Sequence, residues 1–179
     1  LAKGQMSELP EEAQGDMFLF THKFLRDHGY PAYEVSNFSR SSEHRSRHNQ
    51  KYWRHVPYLG LGPSAHSFSG THRWWNERKL GPYEKRIEAG ERPIEESEDL
   101  TREDLALEAL MLGLRTADGI DLTIFRERYG VDLRKQNEPL IERLVREGLL
   151  RIEGRLLIPT LEGLAVTDSL ARDFETGKS

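Results

Sequence analysis

The residues best equipped for chemistry lie between Arg40 and His55. That stretch, RSSEHRSRHNQKYWRH, holds five Lys or Arg and one Glu, a local charge of +4 in a chain that is −4 overall. Such contrast attracts an anion: a phosphate, a nucleic acid or a carboxylate. Arg suits carboxylates because its planar fork meets both oxygens. His44, His48 and His55 add metal ligands or proton carriers. Tyr52, Trp53 and Tyr58 add flat apolar faces. A planar, anionic, metal-bearing molecule would use all three features together. The plainer alternative is a solvated polar loop. Residues 39–51 read as turn-like rather than helical, so these His lack helical metal-site spacing and fit no zinc motif. With no apolar anchor before Tyr52, a mobile loop over 39–56 is expected.

Gly60-Leu61-Gly62-Pro63-Ser64 is glycine-rich after an apolar pair, but it lacks the Lys of a phosphate loop, and Pro63 removes a backbone donor. A tight turn at a strand end is the expectation. His66 follows, with no nearby Asp to complete a hydrolase triad, and Gly62-Pro63-Ser64 is no nucleophile elbow. Arg73-Trp74-Trp75-Asn76 reads as a polar-aromatic strand end, either a packed barrel edge or a further wall of the same pocket.

The chain has 179 residues, which means one domain or two small ones, and 36% apolar residues, enough for a buried core. It has no cysteine, which excludes disulfides, thiol nucleophiles and cysteine-held clusters within this chain and fits a reducing compartment. No apolar run spans a membrane and no signal peptide opens the chain, so a cytoplasmic location is expected. The start at Leu1, with no opening strand in the first ten residues, suggests a piece of something longer, which could expose apolar surface and self-associate.

All seven His and three Trp precede residue 76. Leu, Glu and Arg at helical spacing dominate after Leu100. The acidic stretch between them, GERPIEESEDL, reads as a linker, giving units 1–95 and 96–179. In the first, Pro10 and Glu11 open a helix with Met17, Phe18, Phe20, Phe24 and Leu25 as its apolar stripe, ended by Gly29. Short strands are expected at 32–35 and 58–62, an extended piece at 67–75 and a helix at 80–89. Together they suggest part of a parallel α/β layer. In the second, Thr101 and Asp104 cap a helix with Leu105, Leu107, Ala109, Leu110, Leu112 and Leu114 crowded on one side. Helices at 122–129 and 137–147, a hairpin about Glu153-Gly154-Arg155 and a helix capped by Thr160 complete a winged-helix pattern. From Thr101 onward there are 12 Lys or Arg against 15 Asp or Glu, which suits partner docking rather than DNA.

Three motifs in order carry a family resemblance. Tyr33-Glu34-Val35-Ser36-Asn37-Phe38, His48-Asn49-Gln50-Lys51-Tyr52-Trp53, and Tyr58 to Ser67 with Arg73 and Asn76 resemble YEISNFA, HNxxYW and YLGxGPxAHS. These mark the oxygen-independent coproporphyrinogen III oxidase-like radical SAM proteins, specifically their heme chaperone branch. The resemblance implies an α/β plus α+β fold, the last part of a partial TIM-like barrel followed by a winged-helix-like domain. It implies that the 4Fe–4S cluster and S-adenosylmethionine belong to the full-length parent only, because the family's CxxxCxxC is absent here. This chain alone is then not catalytically competent. Ser39 replaces the family's usual Ala after SNF.

HNxxYW separates chaperone-like members from true coproporphyrinogen dehydrogenases. The resemblance therefore implies heme contacts at His48, Asn49, Tyr52 and Trp53, with Arg45 and Arg47 available to propionates. It also implies contacts to S-adenosylmethionine around Asn37, Phe38, Ser39, His66 and Arg73. Heme binding and transfer to recipient proteins is the leading expectation. The alternatives are oxidative decarboxylation of coproporphyrinogen III by the full protein, and a non-enzymatic winged-helix interaction module with no tetrapyrrole affinity.

Overall fold

Helix α1 (Glu11–Asp27) starts behind Pro10 with Glu11 and Glu12 favourably placed at its positive end, and Gly29, with φ +82°, lets the chain turn away beyond it. The computed structural model describes residues 9–177, so the expectation about the first ten residues falls mostly outside it. The α1 apolar residues split into two stripes. Phe18 turns inward onto buried His22, which also meets Phe38. Met17, Phe20 and Phe24 face solvent, with Phe20 69% exposed.

Strand β1 (Ala32–Glu34) pairs antiparallel with β2 (Asn37–Phe38). A 3-10 turn over Ser42–His44 then leads into α2 (Arg47–Trp53). The expected turn-like, mobile loop is thus a helix at its centre. Ser46 caps it, its hydroxyl accepting from the Asn49 amide at 3.2 Å. In so short a helix only Tyr52 and Trp53 are apolar, so no repeating period marks it in the sequence.

Strands β3 (His66–Ser69), β4 (His72–Asn76) and β5 (Ile94–Asp99) form an antiparallel meander, and α3 (Leu80–Glu88) connects β4 to β5. Three expectations are corrected here. The sheet is antiparallel rather than parallel, because His66 to Ser69 and His72 to Asn76 fold back through Gly70, whose φ is +70°. The acidic "linker" is β5, an edge strand whose Glu and Asp face water while its backbone pairs with β4. It runs across the 95/96 division expected from composition. Residues 58–62 form no strand. Tyr58 alone bridges to Phe68, and the glycines then turn.

That turn is the tight one expected. The Asn76 side chain donates to the Gly62 carbonyl at 3.0 Å, and Ser67 Oγ accepts from Gly60 N at 2.9 Å. Gly60 has no room for a side chain, since a Cβ there would collide with the His66 carbonyl.

In the second half, α4 (Arg102–Leu114) carries the expected capping box between Thr101 and Asp104. Strand β6 (Ile120–Asp121), α5 (Leu122–Tyr129), α6 (Leu133–Gln136) and α7 (Glu138–Arg146) follow. Hairpin strands β7 (Leu150–Glu153) and β8 (Leu156–Pro159) lead to α8 (Leu161–Ala165) and α9 (Thr167–Asp173). Strand β6 joins the hairpin in an antiparallel sheet ordered β6-β8-β7. The main core lies here. Ala106, Leu110 and Leu114, spaced one turn apart on α4, pack with Phe125, Ile141, Leu144 and Leu157. The α4 leucines therefore do not share one side. Leu107 and Met111 stay 42% and 45% exposed.

The halves are tied through backbone. Val35 N donates to the Arg115 carbonyl at 3.0 Å, and Ala117 N to the Tyr33 carbonyl at 3.1 Å. Helix α2 rests on α4, and α1 on α8. Among the described residues, no helix is long and apolar enough to cross a membrane.

Candidate functional site

Helix α2 sorts the charged motif onto different faces. Residues 48 and 52 are one turn apart, and the His48 ring nitrogen and Tyr52 hydroxyl are 3.2 Å apart. Tyr52 turns its ring edge to Tyr58, centroids 4.6 Å apart, at the mouth of a cleft. Arg47, Lys51 and Arg54 share the same one-turn spacing on an adjacent exposed face, and none is in an ion pair among the described residues.

The cleft, about 400 Å³, lies between the β3–β4 face and α4. Antiparallel register puts His66 opposite Trp75 and Phe68 opposite Arg73 on one face of the sheet. Tyr52, Tyr58, Phe68, Met111 and Leu112 give it apolar walls, while His55, His66, Arg73, Glu98 and Glu108 supply its polar groups. A mainly apolar concavity with a few convergent polar groups is the usual form of a small-molecule site.

One polar network closes its floor. Arg73 donates to both Glu108 oxygens at 2.9 and 2.6 Å and to Glu98 at 3.1 Å. These bonds, those to Glu108 foremost, hold the guanidinium more firmly protonated than usual. His55 is buried, with Nδ1 3.2 Å from the Tyr129 hydroxyl and Nε2 3.5 Å from Glu108. Burial pushes its pKa below the usual 6.5, against the pull of Glu108. Burial also raises the Tyr58 and Tyr129 hydroxyls.

His55 reaches inward because it ends α2 at φ +49°, the left-handed conformation usually filled by Gly. That position costs a non-glycine residue roughly 1 kcal/mol. Arg128 holds it there by donating to the carbonyls of Arg54 and His55.

The sequence-nominated residues therefore separate. Tyr52, His66 and Arg73 line the cleft, and His48 reaches it only through the Tyr52 hydroxyl. Arg47 is exposed on the adjacent face of α2. Trp53 and Arg45 lie on the opposite side of α2. Trp53 packs near Tyr33, and Arg45 donates to both Asp118 oxygens at 2.8 Å. Asn49 donates to Asn37, and Asn37 to buried Glu34 at 2.7 Å. Phe38 packs on His22, and the buried Ser39 hydroxyl donates to the Ser41 carbonyl. Glu98, Glu108 and Met111 were not nominated. Glu108 was the most legible of them, a lone charge inside the apolar run Leu105-Ala106-Leu107-Glu108-Ala109-Leu110.

This mixed α/β fold is similar to the solved structure of coproporphyrinogen III oxidase (HemN) from Escherichia coli, a radical SAM enzyme. The TM-score is 0.62 at 15% identity, over 92% of this chain and 41% of that one. Residues 100–166 match the HemN C-terminal domain model. The chain is thus similar to the C-terminal portion of the coproporphyrinogen III oxidase-like radical SAM proteins, in sequence over residues 100–166 and in fold over nearly its whole length.

Its curated relatives include proteins named heme chaperones. It is 29% identical to the heme chaperone HemW of Bacillus subtilis, over 84% of this chain and 39% of that protein. It is 32% identical to the mouse mitochondrial radical S-adenosyl methionine domain-containing protein 1, over 94% of this chain and 41% of that protein. The chain spans about two fifths of the length of these relatives.

A radical SAM cluster does not fit the residues present. The chain has no cysteine, and no three His, Asp or Glu side chains are grouped to hold a metal among the described residues.

Proposed function

We propose that this chain is the heme-binding portion of a heme chaperone-like protein, and that the whole protein passes heme to recipient proteins. The observation that carries this reading is the two-faced α2. Tyr52, with the His48 ring at its hydroxyl, lines an aromatic cleft, and Arg47 and Lys51, in no ion pair among the described residues, occupy the adjacent exposed face of the helix. A tetrapyrrole needs both: apolar walls for its macrocycle and cations for its carboxylates. In this account Tyr52, Tyr58 and Met111 contact the macrocycle, Arg47 meets a carboxylate, and His48 touches the Tyr52 hydroxyl from outside the cleft. Arg45 and Trp53 seat α2 on the second half instead. Asn37 and Asn49 fix α2 to β2, since their amides are taken up by Glu34 and each other.

We read the first half as the end of a partial barrel and the second as a winged-helix-like docking module. Oxidative decarboxylation in the full protein would use the same cleft, but it needs a cluster that these residues do not hold. The test loads the chain with hemin and adds an apoprotein acceptor of higher affinity. Stoichiometric loading followed by transfer faster than spontaneous heme loss supports the proposal. A chain that never loads contradicts it.

A further inference from the structure

Two histidines line the cleft, His55 and His66, and His48 stands outside its lining, next to Tyr52. His55 is committed at Nδ1 to the Tyr129 hydroxyl, and its Nε2 is buried against Glu108. His48 is engaged through Nε2 with the Tyr52 hydroxyl. His66, on β3, is exposed, lines the cleft, and its imidazole makes no hydrogen bond among the described residues.

Its orientation is nonetheless fixed. The ring stacks on Trp75 across the strand pair, centroids 5.5 Å apart and 30° from parallel. Its own carbonyl lies so close to Gly60 that only glycine fits there, which pins the backbone beneath it. An exposed imidazole that lines a cleft and is steadied by a stacked ring is prepared to coordinate iron.

We infer that His66, rather than His48, supplies the axial nitrogen to the iron of a heme in this cleft. This rests on the heme-binding reading above. Met111, exposed on α4 and lining the same cleft, offers a soft thioether or an apolar contact on the facing wall. The macrocycle then lies with its apolar edge toward Phe68 and Leu112. Arg73 is held by Glu98 and Glu108, so the carboxylates turn outward toward Arg47 and Lys51.

The experiment is a hemin titration of the whole chain followed by absorbance and electron paramagnetic resonance. The wild type is compared with His66→Ala and His48→Ala, and free imidazole is then added to each. His66→Ala is expected to lose the histidine-ligated spectrum, to bind hemin about tenfold or more weakly, and to regain the spectrum with imidazole. His48→Ala is expected to keep the ligated spectrum. A saturable wild type whose spectrum survives in His66→Ala overturns the ligand assignment and leaves heme binding standing. No saturable binding by the wild type overturns both. His66 is exposed, and matching circular dichroism across the three proteins keeps a folding defect apart from a lost ligand.

Discussion

Arg73 of β4 and Glu108 of α4 lie 35 residues apart in the chain and share two parallel hydrogen bonds of 2.9 and 2.6 Å. This fork joins the meander of the first half to the principal helix of the second, and it forms the polar floor of the cleft. Both side chains are about one quarter exposed, so solvent screens the pair only partly. Glu108→Ala strips Arg73 of its main partner and leaves His55 without its nearby carboxylate. It should cost about 2 kcal/mol of stability, read as a lower urea midpoint at unchanged slope. An unchanged midpoint would mean that the fork contributes nothing net.

Stability should fall on mild acidification through His55 and His22. Burial lowers the pKa of both in the folded chain. As pH drops below the ordinary 6.5, the unfolded chain takes up protons that the folded chain refuses, so unfolding is favoured. The contribution is fully present above 6.5 and is lost toward the lowered folded values. Urea midpoints should therefore decrease from pH 7.5 to 5.5, with a shallower decrease in His55→Gln. Parallel curves for the two proteins would remove His55 as a cause.

The turn Thr160-Leu161-Glu162-Gly163 should tolerate no larger residue at its end. The Thr160 hydroxyl accepts from Gly163 N at 3.0 Å and donates to the Gly148 carbonyl at 2.7 Å, locking α8 onto the hairpin. A Cβ on Gly163 would collide with the Leu149 carbonyl. Gly163→Ala should therefore cost about 1–3 kcal/mol, and Thr160→Ala about 1 kcal/mol. Thermal melts of the two variants check this, and an undiminished Gly163→Ala would show that the hairpin can shift away freely.

The cations of the basic stretch should divide by role. Arg47→Glu with Lys51→Glu reverses two exposed charges on the face of α2 adjacent to Tyr52, and should weaken hemin binding about tenfold at low salt, less at high salt. Arg45→Ala breaks the Asp118 pair on the far side of α2. It should lower stability while leaving hemin affinity within about twofold. Equal losses of affinity in both would mean that the stretch acts as one undivided surface.

The sequence was most legible where chemistry is local. The Thr101–Asp104 box, the end of α5 at Gly130 and the hairpin about Gly154 all depend on residues a few positions apart. It was least legible where distant partners decide. Seven residues are too few to show the period of α2. The acidic run of β5 is a strand only because β4 lies beside it. The candidate site followed the same rule. The motif marked α2, but which of its side chains face the cleft depends on Asp118, Glu34 and Tyr33, none of which the motif contains.

The account stands on heme entering the cleft between β3–β4 and α4, and Met111→Glu probes that most directly. Met111 is 45% exposed, so the change should leave the fold intact while adding a carboxylate to a wall that already holds Glu98 and Glu108. Hemin titration followed at the Soret band should show saturable binding by the wild-type chain and none by Met111→Glu, with identical circular dichroism. No saturable binding by the wild type, or equal binding by the variant, would contradict it.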